Sequence, residues 1–189
     1  MIFMRKLALV ILLVSVVLLF FILPEVHCEE QGLTAKVAFQ RAQKEALSWQ
    51  KDAALFEVGS ANISNDGSLK KGDVTSQWNL AFYSPATKKV LTVVVAIPTA
   101  PPLRDVSSFE GGSTFKQVLS ADFIDSNQVV ETAKKNGFKS EGSTSMYLTF
   151  TFIKSLKKSM HVWYIMDDID PTLTKYYIDP KTGKFLGKE

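Results

Sequence analysis

The chain has one cysteine, Cys28, and two histidines, His27 and His161. One thiol near the N-terminus leaves no partner for an intramolecular disulfide and no Cys-based metal set. Two histidines, one beside that cysteine, fall short of a zinc ligand set. There is no Gly-x-Ser-x-Gly elbow to carry a serine nucleophile, and a triad would have to draw its base from His161 alone. Charge of one sign is also lacking: 22 basic and 19 acidic residues give a net charge of +3, with lysine pairs scattered along the chain. That balance offers no electrostatic footprint for a nucleic acid.

What is present begins with a long apolar stretch. Arg5 and Lys6 precede a charge-free run from Leu7 to Leu23, followed by Pro24, Glu25, Glu29 and Glu30. A basic flank, an apolar run and an acidic far side fit export of the following domain, with residues 1–28 either a cleaved signal peptide or a retained anchor. The run through residues 7–23 is just short of the roughly 20 residues of a comfortable membrane span, so both readings stay open. Cys28 follows His27, where lipidation calls for a small residue, and this disfavours a lipid anchor. The domain is expected to be secreted or membrane-anchored and extracytoplasmic.

Beyond residue 32 the pattern alternates between helix and strand. Val37, Ala38, Ala42, Ala46 and Trp49 recur at three- and four-residue steps, which predicts a helix over 34–49 with Thr34 as its cap. Strands are predicted at 54–58, around Trp78 and around Val90, with the Asn65-Asp66-Gly67 turn between the first two. Residues 98–121 carry Pro98, Pro101, Pro102, Gly111 and Gly112 and read as a linker or long crossover. Asp125 and Gln128 form a capping box for a second helix, flanked by Ile124 and Val129 and ended by Asn136-Gly137. Met146 to Phe152 alternates, with Leu148, Phe150 and Phe152 on the core side and Tyr147, Thr149 and Thr151 outward. Aromatic strands around Trp163 and Tyr177 follow, closed by the turn Asp179-Pro180-Lys181-Thr182-Gly183.

In both halves a tryptophan opens one strand, and the next follows after a Pro-containing loop. The expected fold is therefore α+β: two repeats of a helix packed on a three-stranded antiparallel sheet. The expected units are residues 33–97 and 122–189, joined by 98–121.

The C-terminal half resembles a PepSY domain, a small extracytoplasmic module found in peptidase propeptides and exported proteins. The residues that carry the likeness are Val129–Gly137, Trp163-Tyr164-Ile165 and the closing run from Tyr177 to Leu186, with its Asp179-x-x-Thr182-Gly183 turn. Residues 33–97 share it only weakly, lacking that turn. The resemblance implies a non-catalytic module, in some relatives linked to restraining or chaperoning a peptidase. It brings no catalytic residues.

Three groups are candidates for chemistry. Asp167, Asp168 and Asp170 put three carboxylates in one turn and are the weak candidates for a metal such as Ca²⁺, although the EF-hand order is absent. No catalytic residue and no cofactor is assigned. Tyr147, Tyr164 and Tyr176 are the expected partner surface, since tyrosine is enriched where proteins meet. The alternative is a carrier or sensor of a small apolar ligand, in a cavity lined by Trp49, Phe56, Phe150 and Phe152. Asn62-Ile63-Ser64 is a glycosylation triplet. The expected function is an exported, non-catalytic binding or regulatory module for a protein partner, a peptidase or another cell-envelope protein.

Overall fold

A computed structural model of the chain describes residues 32–97, 103–108, 117–140 and 142–189. The signal or anchor expected in residues 1–28 lies outside them. Among the described residues no helix is long and apolar enough to cross a membrane.

Helix α1 (Ala35–Trp49) buries Ala35, Ala38, Phe39, Ala42 and Ala46 on one stripe. Four alanines let its backbone approach the sheet closely, and Phe39 fills the remaining gap against Phe82 and Phe123. Helix α2 (Ser126–Lys135) has the capping box that Asp125 and Gln128 predict, and it buries Val129, Val130 and Ala133. Gly137 takes φ +93° at its end, and Phe138 folds back to donate its amide to the Ala133 carbonyl at 3.0 Å.

The strands are β1 (Ala54–Ile63), β2 (Gln77–Ser84), β3 (Lys89–Ala96), β4 (Leu103–Ser108), β5 (Thr144–Ile153), β6 (Lys158–Asp167), β7 (Tyr176–Ile178) and β8 (Phe185–Lys188). They form one antiparallel sheet of eight strands in the order β4-β3-β2-β1-β5-β6-β7-β8. This overturns the expected two repeats of a helix on a three-stranded sheet. The physical reason is the pairing of β1 with β5, Val58 opposite Leu148 and Gly59 opposite Tyr147. Each is the first strand after its helix, and alone each would be a long unpaired edge; joined, they satisfy each other. Each side also carries a fourth strand. On one side it is β4, which falls within the stretch read as a linker and pairs with β3 from Lys89–Ser108 to Val94–Leu103.

Both helices cover the same face. The main core packs their buried stripes against Leu55, Val58, Trp78, Leu80, Phe82, Leu91, Val93, Leu148, Trp163 and Ile165. Gly32–Glu189 is one compact unit around it. Trp78 and Trp163 hold equivalent places. Trp78 Nε1 donates to the Leu33 carbonyl at 2.8 Å, and Trp163 Nε1 donates to the Ile124 carbonyl at 3.1 Å. Each acceptor lies just ahead of a helix cap, so each indole ties a helix start to the sheet.

The distal half of the β5–β6 hairpin behaves differently. Leu148 is the last β5 residue paired in register with β1. Beyond it the inward and outward sides exchange roles. Ile153 and Val162 are fully buried on the helix-free side with Tyr177, packed by Met160, Tyr164 and Leu186. Phe152, expected in the core, is 55 % exposed on the other side.

Candidate functional site: the helix-free face of the sheet

The face without helices is organised in transverse rows. One row runs through Val94, Asn79, Gly59, Tyr147, Tyr164 and Tyr177, each paired across to the next. Tyr147 and Tyr164 stack with centroids 5.2 Å apart and planes at 27°; Tyr177 meets Tyr164 edge-on at 6.2 Å. Burial pushes the Tyr164 hydroxyl up to about 12, helped by the negative forms of Tyr147, Glu57 and Tyr177 nearby. Lys175 Nζ lies 5.0 Å over the Tyr164 ring. Gly59 has a clear reason to lack a side chain, because a Cβ there would stand 2.5 Å from Tyr147 Cδ1. The Tyr147 ring thus lies over the β1 backbone.

Of the three tyrosines expected on the partner surface, Tyr147 and Tyr164 stand together here. Tyr176 does not. It pairs with Ile165 and faces the helices, against Phe138 at 5.4 Å, with its hydroxyl donating to the Gly137 carbonyl at 3.2 Å. Adjacent strand residues point to opposite faces, and the register sets Tyr177, not Tyr176, opposite Tyr164. A Tyr-Tyr pair announces that one of the two faces outward but not which one.

A second row passes through Asp105, Thr92, Ala81 and Glu57. Glu57 sits just after a bulge, where β1 advances from Leu55 to Glu57 while β2 advances only from Phe82 to Ala81. The extra residue, Phe56, lets Leu55 and Val58 both enter the core while Glu57 points the opposite way. The Thr149 hydroxyl donates to Glu57 Oε2 at 3.3 Å. Burial pushes the Glu57 carboxyl up, and the Thr149 bond only partly offsets this. Glu57 was not singled out in the sequence; its signal is one charge inside an otherwise apolar strand.

The acidic turn does not gather around a common point. Asp167 accepts the Ile169 amide at 3.1 Å. Asp168 takes the hydroxyls of Ser143 and Ser145 at 3.0 and 2.8 Å, and Asp170 takes the amide and hydroxyl of Thr172. These are turn and strand-end bonds. Among the described residues no group of three or more His, Cys, Asp or Glu side chains converges. His161 Nε2 meets the Gln117 carbonyl at 3.1 Å, and its ring packs edge-on to Phe150 at 5.2 Å.

The four residues expected around an apolar cavity are dispersed. Trp49 borders a shallow depression of about 550 Å³ with Leu47, Asp52 and Ala86 at the end of α1. Phe56 is the bulge residue, Phe150 lies against His161, and Phe152 meets solvent. Asn62 adopts φ +61° and spends its amide on Asp73, Thr75 and Lys70.

No family profile matches the chain, and no curated protein does either. A crystal structure from Clostridium difficile 630, described provisionally as a lipoprotein, is similar in fold. It is 16 % identical with a TM-score of 0.57, covering 86 % of this chain and 97 % of that one. At that identity the likeness speaks for the fold alone.

Proposed function

We propose that the protein is an exported, non-catalytic binding module that presents the helix-free face of its sheet to another protein. The resemblance of residues 122–189 to a PepSY domain supports this, as does the apolar run 7–23 with its basic flank. The provisional description of the fold neighbour as a lipoprotein points the same way. The observation that carries the reading is the asymmetry of the sheet. Both helices pack on one side, and the other holds a stacked tyrosine pair and a half-buried carboxylate. Tyrosine-rich faces of this kind are what protein partners bury. In the PepSY context the partner is a peptidase or another cell-envelope protein.

Site-specific photo-crosslinking of the full chain in the cells that make it tests this. A photoreactive residue at Asn79, on the tyrosine row, is expected to give a discrete protein adduct that Tyr147→Ala abolishes. The same residue at Lys44, on the exposed side of α1, is expected to give none. Equal adducts from both positions, or none from Asn79, would remove the reading.

A further inference from the structure

The helix-free side of β1–β4 carries negative charge on a chain whose net charge is +3. Glu57 and Asp105 lie there in one transverse row, separated only by Ala81 and Thr92. Three strand spacings of about 4.8 Å set them roughly 14 Å apart. Among the described side chains of these four strands, no lysine or arginine shares that side. Arg104 projects to the helix side, where it pairs with Glu45 of α1, and Lys89 alternates to that side as well.

Glu57 is half-buried, and among the described residues it bonds only to the Thr149 hydroxyl and no basic side chain meets it. A carboxylate drawn partly out of water without a cation is costly, and glutamine in its place would remove that cost. Beside it stands the Tyr147–Tyr164 stack, which already takes one ammonium group, Lys175 Nζ at 5.0 Å from the Tyr164 ring. A carboxylate next to an aromatic wall is the chemistry that recognises lysine and arginine side chains.

We propose that this face takes a basic, extended polypeptide segment lying across β1–β4, with one cationic side chain on Glu57 and a second on Asp105. An extended chain rises about 3.4 Å per residue, so cationic residues at positions i and i+4 match the separation of the two carboxylates. This deepens the protein-binding reading above and rests on it.

The test uses the full chain in nanodiscs of zwitterionic lipid, which do not themselves attract basic peptides. Fluorescein-labelled peptides carry two arginines in a Gly/Ser/Thr background, at positions i and i+4 or adjacent, and anisotropy is read at low salt. The i,i+4 peptide is expected to bind saturably and more tightly than the adjacent one. Glu57→Gln is expected to weaken it about tenfold, since that carboxylate is partly desolvated. Asp105→Asn, at an exposed position, should weaken it about two- to fivefold. Absence of saturable binding, indifference to spacing, or equal affinity in the double variant that combines Glu57→Gln with Asp105→Asn would each overturn the proposal. A photo-adduct from Asn79 that persists in the double variant would leave the protein-binding reading standing and remove only this one.

Discussion

The carboxylate of Asp125 accepts the backbone amide of Lys36 across 89 positions of sequence, at 2.9 Å. The same group caps its own helix through the Ser126 amide at 2.7 Å and accepts the Thr34 hydroxyl at 2.8 Å. Ser126 Oγ in turn accepts the Ala35 amide at 3.0 Å. One anion therefore serves the positive ends of both helices. Thr34, expected to cap α1, makes no side-chain cap bond and instead donates to the residue that does.

Removing that carboxylate should accordingly cost more than an ordinary cap. Asp125→Ala leaves two helix starts short of acceptors, and a loss of about 2–3 kcal/mol is expected, twice the usual value for one cap. Asp125→Asn keeps a capping oxygen and should lose about 1 kcal/mol or less. Urea denaturation of the two variants measures this. Equal, sub-kilocalorie losses would mean that the helices are held by packing alone.

The two faces of the sheet predict opposite phenotypes for two of its tyrosines, Tyr176 on β7 and Tyr147 on β5. Tyr176→Ala removes a buried ring packed on Phe138 and Phe185 and is expected to cost about 3–5 kcal/mol. Tyr147→Ala unstacks one ring on the half-exposed side and should cost no more than about 1.5 kcal/mol while abolishing the Asn79 photo-adduct. Thermal unfolding alongside the crosslinking assay separates the two; a reversed order of stabilities would place the register one residue off.

The local elements were legible in the sequence where short-range chemistry specifies them. Asp125 with Gln128, Asn136-Gly137 and the Asp179–Gly183 turn are each decided within a few residues, and the structure has them as capping box, helix end and turn. The sheet was not legible, because nothing within β1 says that its free side will find β5 rather than solvent. The bulge at Phe56 shows the same limit. It is read only from the pairing of Leu55 and Glu57 against β2, and without it Glu57 looks like a misplaced charge in a core strand. Phe152 fails for a related reason: alternation gives its side of the strand but not where the helices above that side end.

Glu57 makes a prediction with a definite sign. Its folded carboxyl lies above the ordinary value of 4.5, so folding binds its proton more tightly than the unfolded chain does. The burial penalty is absent below the unfolded value and appears as pH rises through the folded one. Glu57→Gln should therefore match the wild type near pH 3.5 and become progressively the more stable of the two toward pH 7. Denaturation midpoints of the pair across that range check it. The carboxylates held below their ordinary values, such as Asp66 and Asp73, slope the other way but cancel in the difference. A flat difference would mean that the Glu57 carboxylate is fully solvated.

Gly67 tests whether the loop after β1 is structurally coupled to the helix starts. It adopts φ +83°, and a Cβ there would stand 2.6 Å from the Ser126 carbonyl carbon and 2.7 Å from the Asn127 nitrogen. The loop around it is tied in on both sides: the Leu69 amide donates to the Leu33 carbonyl at 3.2 Å, and Lys134 Nζ reaches the Asn65 carbonyl at 2.6 Å. Backbone cannot retreat as a flexible side chain can, so Gly67→Ala adds a clash at the Asp125 junction to the roughly 1 kcal/mol of left-handed strain. A loss above about 2 kcal/mol is expected, with amide exchange speeding up at both helix starts. Gly72 has φ +77° and nothing within 4 Å of its would-be Cβ, so Gly72→Ala should show the strain alone. If the two substitutions cost the same, the loop does not press on α2, and the two helices owe their alignment to Asp125 and the tryptophans alone.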